Sequence, residues 1–200
     1  MLKVKRVSFM KRIQPVLLAF MAGLLVGAIL PNLLDEVAWK MNGLSDLMLL
    51  ERCLSDSIDS RSLSLYLIEK RGSLLLLTAF LGVSVFGAAA GMTGAVMLGG
   101  YVGLLLSAML KLGGFRGFLL GLGFLLPQYL LYIPVLLFFF ESCFSMSLSC
   151  WKKKQVTGKE YRDYVVTMGV LFMITIAAMA LESYVNPKLL TFLLKYLKFF

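Results

Sequence analysis

Residues 72–110 carry no charged side chain over 39 consecutive positions, and residues 117–140 carry none over 24. A bilayer hydrocarbon core of ~30 Å is crossed by about 20 apolar residues in helix. Within lipid every backbone N–H and C=O must be paired inside the segment or its neighbours, so such runs fold as helices. One helix through the longer run would reach ~58 Å at a rise of ~1.5 Å per residue. That run must therefore fold back on itself. The fold class expected is all-α, a polytopic membrane helical bundle. Composition agrees: 16% of residues are charged, against roughly 25% in soluble domains. A soluble enzyme is excluded.

Five transmembrane helices are expected in a single membrane domain over 1–200, at about 14–34, 73–92, 94–110, 117–141 and 164–182. The first follows a basic stretch, Lys3 to Arg12, and is longer than the apolar part of a cleaved leader, with no A-x-A site. It is read as retained, with Pro15 in its first turn, where a missing N–H is tolerated. The turn dividing the long run is placed at Gly91-Met92-Thr93-Gly94. The fourth span holds Pro127 and Pro134, each expected to kink it. Residues 35–71 form an acid-rich extracytoplasmic loop, with a short amphipathic helix around Leu44–Leu54. Residues 142–163 form a cytoplasmic loop. The tail, 188–200, is expected to be an interfacial helix, with Lys188, Thr191, Lys195 and Lys198 on one arc and Leu, Phe and Tyr on the other. The density of Lys and Arg places the N-terminus in the cytoplasm and the C-terminus outside.

Composition also limits the chemistry. The chain has no histidine, which removes His-based acid–base catalysis, Ser-His-Asp triads and most zinc sites. Cys53, Cys143 and Cys150 have no metal-ligand or CxxC spacing. No Gly-rich loop is followed by Lys-Ser or Lys-Thr, so no Walker-type nucleotide site is present. The net charge of +9 comes from basic residues that flank apolar segments. Membrane lipids are the expected partners of those residues, and nucleic acid is not. No cofactor, no metal and no catalytic residue is assigned.

Several residues remain as candidates. Glu141 and Glu182 lie at span ends, where a carboxylate serves either structure or function. Gln128, Tyr129 and Tyr132 either line a cavity at the kinked span or make interhelical hydrogen bonds. Small residues recur every fourth position at Gly87, Gly91, Ala95, Gly99 and Gly103, and again at Gly23/Gly27 and Gly117/Gly121. This spacing lets helix backbones approach closely, either inside one bundle or across an oligomer interface.

Three stretches together resemble the stage II sporulation protein M family. They are Leu67-Ile68-Glu69-Lys70-Arg71, Leu125 to Pro134 with Pro127-Gln128-Tyr129 and Tyr132-Ile133-Pro134, and Glu182-Ser183-Tyr184-Val185-Asn186-Pro187. The resemblance covers roughly residues 60–190. Many members carry Pro-His-Gly…Glu-x-Pro in the fourth span. Here Gln128 and Tyr129 replace His-Gly, as in the form that resembles endospore formers, and Tyr132 replaces the Glu. The family motif thus falls on Arg71, Pro127, Gln128, Tyr132, Pro134, Glu182 and Pro187, beside the packing glycines Gly87 and Gly91.

The resemblance implies a non-enzymatic scaffold of the cell membrane, localised to the sporulation septum. Its implied partners are stage II sporulation proteins P and D, which remodel septal peptidoglycan during engulfment. The contact surfaces expected are the 35–71 loop and the spans. The alternative is a small-molecule or lipid transporter, or the membrane subunit of one, for which a kinked span and a glycine-rich hairpin would suit a moving gate.

Overall fold

A computed structural model of the chain describes residues 2–33, 60–126, 128–152 and 156–197. They form five helices: α1 (Leu2–Leu33), α2 (Ser60–Gly82), α3 (Gly87–Leu125), α4 (Gln128–Lys152) and α5 (Gly158–Leu197). No strand occurs among the described residues. Four stretches are long and apolar enough to cross a membrane: Ile13–Leu33, Gly87–Lys111, Tyr129–Trp151 and Gly158–Ala180. α2 falls short because Glu69, Lys70 and Arg71 interrupt it. Its apolar part, 72–82, extends only ~16 Å at ~1.5 Å per residue, about half a bilayer core.

Glycine sets the closest packing. Gly23 and Gly27 of α1 lie on the carbonyls of Val96 and Gly100, and Gly99 and Gly103 of α3 lie on those of Phe20 and Leu24. A Cβ at any of the four would overlap a carbonyl oxygen. Residue numbers rise together along both helices, so α1 and α3 are parallel. The small-residue spacing is thus consumed inside one bundle. α4 runs antiparallel to α3: Gly91 meets Phe140 and Phe144, while Tyr101 stacks on Tyr129. α5 runs antiparallel to α2, with Tyr164 beside Ala79 and Phe172 beside Gly72. Val16, Phe20, Val102, Phe139, Phe140, Met168 and Met179 fill the centre. Outward faces are apolar as well, with Leu18 and Leu25 on α1 and Val166 and Met173 on α5 exposed, as expected for surfaces in lipid.

The turn dividing the long uncharged run is not at 91–94. Helix is continuous there, and Thr93 Oγ1 donates to its own helix at Ala89 O (2.7 Å). The chain turns at Val83-Ser84-Val85-Phe86, where Ser84 N bonds Leu81 O at 2.8 Å and Gly87 N bonds Ser84 O at 3.2 Å. Ser84 Oγ closes the turn, donating to Leu81 O (2.7 Å) and accepting from Phe86 N (3.2 Å). Two β-branched valines and a serine that competes for backbone bonds favour a break here. Gly91 and Gly94 are instead close-packing positions against α4.

A second reversal lies within α3. Gly114 has φ 57° and ψ −141°, a region open to glycine and costly to other residues. Beyond it the arm 115–125 returns along 106–110, so that Gly117 rests on Met109 O and Gly121 on the Met109 side chain. At the same end Lys111 Nζ donates to Pro31 O at 2.7 Å, filling a carbonyl of the last turn of α1.

Four further boundaries differ from expectation. The stretch 117–141 is not one kinked helix. α3 ends at Leu125, Leu126 is extended (φ −88°, ψ 145°), and α4 begins at Gln128. A residue before proline is pushed out of the α region, so Pro127 ends a helix rather than bending one. Pro134 is inside α4. Residues 142–152, read as loop, continue α4 because their side chains are engaged by the 83–86 turn, as detailed below. α1 starts at Leu2, so Pro15 is interior to it rather than in its first turn. α5 passes Glu182 and Pro187 and runs unbroken to Leu197, so the tail is no separate helix among the described residues. Membrane bundles tolerate interior proline where neighbours re-satisfy the freed carbonyl. The amphipathic stretch around Leu44–Leu54 lies outside the described residues.

Candidate functional site

Polar groups inside the bundle gather at two levels. The first is the 83–86 turn. A break between helices leaves carbonyls without intrahelical donors, and in an apolar bundle each must find one. Val83 N bonds Phe80 O (3.3 Å) instead of continuing the ladder to Ala79. Tyr164 of α5 fills that gap, its hydroxyl donating to Ala79 O at 2.7 Å. α4 supplies the other donors. Ser147 Oγ reaches Ser84 O (2.9 Å) and Val85 O (3.1 Å), sharing one proton between them. Trp151 Nε1 also donates to Val85 O, at 3.2 Å. Cys150 Sγ reaches Val83 O (3.4 Å), and Cys143 Sγ reaches Thr78 O (3.2 Å) and Gly87 O (3.4 Å). Gly82 makes room for the phenol: its Cβ would fall on Tyr164 Oη. Gly87 sits on the other flank, where a Cβ would meet Leu81 O at 2.6 Å.

The second level lies at the start of α4. Arg71, assigned from sequence to the end of a loop, is inside α2 and half-buried. Its Cζ stands 5.8 Å from the ring centroid of Tyr132. A guanidinium over a tyrosine face is worth about 0.5–2 kcal/mol, more as its surroundings become drier. The rings continue inward: Tyr132 to Tyr129 at 5.7 Å, and Tyr129 to Tyr101 of α3 at 5.9 Å and 8° between planes. Tyr132 and Tyr129 are 2% and 6% exposed. The Tyr101 hydroxyl oxygen is buried, and among the buried side-chain polar atoms of the described residues it is the one with no hydrogen-bond partner.

Of the residues singled out from sequence, Arg71 and Tyr132 meet. Gly87 and Gly91 belong to the other level. Pro134 lies in α4 two residues past Tyr132, and its side chain is exposed. Pro127 lies outside the described residues. Gln128, Glu182 and Pro187 have helical backbones, and their side chains lie outside what is described. Glu141 is buried in α4, about 13 Å along the helix from Tyr132 at ~1.5 Å per residue. Sequence reasoning missed Tyr101, Ser147 and Tyr164. Tyr101 had a signal: it is the one hydrogen-bonding side chain between Gly94 and Leu106. Among the described residues, no three His, Cys, Asp or Glu side chains are grouped to hold a metal.

Parallel and antiparallel helices with apolar outer faces, four of them long enough to cross a bilayer, define an integral membrane helix bundle. Residues 16–187 match the family model of stage II sporulation protein M. The chain belongs to that family, which marks it as a sporulation membrane protein. No curated protein matches the chain, and no solved structure does.

Proposed function

We propose that the protein is a membrane scaffold of the engulfment machinery, which localises and recruits peptidoglycan-degrading partners to the sporulation septum. The family match over 16–187 carries this reading. The partners are stage II sporulation proteins P and D, and the scaffold performs no reaction itself. The acid-rich segment between α1 and α2 is the docking surface, exposed outside the cell membrane. The N-terminus is cytoplasmic, in keeping with the basic runs Lys3–Arg12 and Lys152–Lys154. α2 makes the fifth crossing over its whole length, Ser60–Gly82, with Glu69 and Lys70 exposed and Arg71 half-buried against α4.

Deletion of the gene in its host, scored by membrane-dye microscopy, tests the role. The expected result is arrest at a flat septum, with the hydrolases no longer concentrated there. Normal engulfment without a redundant copy overturns it. Charge reversal at Asp56 and Asp59 is expected to release the partners, and undisturbed recruitment removes that segment as the docking surface. The interruption of helix at Leu126, ahead of an α4 whose Tyr132 meets Arg71, favours one second reading, a transporter. Solute flux in liposomes containing the protein alone would support the transporter and displace the scaffold.

A further inference from the structure

Helix α2 turns an outer face of mixed character away from the bundle. Glu69, Lys70, Ser73, Leu77 and Phe80 are all exposed, Leu77 by 57% and Phe80 by 77%. Gly72, Leu75 and Gly82, on the other side of the helix, are buried. Neither the Glu69 nor the Lys70 side chain meets a partner among the described residues. Adjacent residues on a helix do not face each other, so the two charges do not neutralise one another within one chain.

Both charges stand at membrane depth. Gly72 packs on Phe172 of α5, and Phe172 lies eight residues before Ala180, the end of that helix's apolar stretch. At ~1.5 Å per residue Gly72 is ~12 Å inside that end. α2 runs antiparallel to α5, so Lys70 and Glu69 lie ~9 Å and ~7.5 Å inside it. The neighbouring Arg71 reaches Tyr132 beside Tyr129, and Tyr129 stacks on Tyr101, ten residues before the close of the α3 stretch at Lys111. An ionised side chain at such depth is costly, and it faces protein or an opposite charge. A lysine stem can carry its charge toward the interface; the shorter glutamate has no such reach.

The pattern of this face fits a second copy of the same helix. With Glu69 at 0° and ~100° per residue, Phe80, Ser73 and Leu77 fall at about 20°, 40° and 80°, and Lys70 at about 100°. The acid and the base therefore flank one stripe on opposite sides. Two copies in one membrane share an orientation, so their α2 helices pair in parallel about a two-fold axis. In that arrangement one flank of each helix meets the other flank of its partner, as e and g positions do in a parallel coiled coil. Glu69 of each copy then meets Lys70 of the other, with ~1.5 Å between them in height. Ser73, small and near the middle of the stripe, lets the two backbones approach. Lipid chains offer these charges no partner.

We propose that the outer face of α2 is a homodimer interface, in which Glu69 and Lys70 form two symmetric ion pairs across the axis within the membrane. The proposal rests on α2 crossing the membrane, and it is independent of the recruitment reading.

Disulfide cross-linking in native membranes tests the interface, with the full chain carrying Cys53→Ser as background. Ser73→Cys is expected to yield a covalent dimer on oxidation, and Val166→Cys, exposed on α5, is not. Glu69→Lys and Lys70→Glu are each expected to slow cross-linking through Ser73→Cys at least tenfold, because each sets like charges across the axis twice. The double exchange, Glu69→Lys with Lys70→Glu, is expected to restore the rate. That restoration tests the pair even where a single variant folds poorly. Absence of a cross-link through Ser73→Cys, an equal cross-link through Val166→Cys, or a double exchange as slow as the single variants overturns the dimer. Where no cross-link forms, a membrane-impermeant maleimide applied to permeabilised cells separates the causes. Modification of Ser73→Cys shows α2 in water, and the crossing then fails together with the dimer. An unmodified Ser73→Cys leaves the crossing standing and overturns the dimer alone, with lipid or another part of the chain covering this face.

Discussion

Tyr164 and Ala79 are 85 positions apart, yet a hydrogen bond between them fills the carbonyl that the break before the 83–86 turn leaves without an intrahelical donor. Tyr164→Phe keeps the ring and removes the donor, leaving Ala79 O buried and unfilled. The expected loss is about 1–3 kcal/mol, read as a lower unfolding midpoint in detergent, with Tyr161→Phe on the exposed face of α5 as an unaffected control. Gly114 makes a local demand instead. Gly114→Ala places a Cβ at φ 57° and ψ −141° and is expected to cost about 1–3 kcal/mol through strain alone, since no neighbouring atom lies within 4 Å of that Cβ. The same midpoint measurement checks it. Neither residue stood out in the sequence. The role of Tyr164 depends on a partner in another helix, and Gly114 is one of many glycines whose φ no local pattern reveals.

Glycine-rich segments can serve as turns or as contact faces, and at the element scale the two uses look alike in sequence. Gly91-Met92-Thr93-Gly94 reads as a turn, but its glycines admit the backbone and ring of Phe140. Val83-Ser84-Val85-Phe86 reads as helix, being as apolar as its surroundings, yet it is where the chain reverses. Charge-free length showed that the run had to fold back, and the place was settled by donors on α4 and α5 that no window on the run contains. The pairing of α1 with α3 was legible as spacing, though not as to which helices pair. It yields a sharp test. Gly27→Leu must force a side chain into Gly100 O, whose backbone cannot yield without separating the helices. A loss of about 3 kcal/mol or more is expected, at the upper end for overpacking. Gly169→Leu on α5, with nothing within 4 Å, should leave the midpoint nearly unchanged. Equal effects of the two would remove the α1–α3 contact as the tightest seam.

For the whole molecule, the contacts give each helix a direction without saying which end faces the cytoplasm. The N-terminal part of α1, the 83–86 turn and the α4–α5 connection share one end. Gly114 and the C-terminal part of α5 share the other. The first end carries Trp151 and Lys152, with Lys153 and Lys154 next in sequence, and the basic stretch Lys3–Arg12 opens α1 there; the positive-inside rule predicts that this end faces the cytoplasm. The natural cysteines report on the choice without any substitution. Cys53 falls in sequence between the close of α1 and the start of α2, and those two helix ends lie at the opposite end of the bundle from Cys150 near the close of α4. A membrane-impermeant maleimide applied to intact cells, followed by peptide mapping, is expected to modify Cys53 and to reach Cys150 only after permeabilisation. Cys143, buried between Thr78 O and Gly87 O, should stay unmodified in both states while the bundle is folded. Modification of Cys53 only after permeabilisation would invert the orientation. It would also turn the acid-rich segment away from the cell wall, where a scaffold for peptidoglycan-degrading partners must present its docking surface.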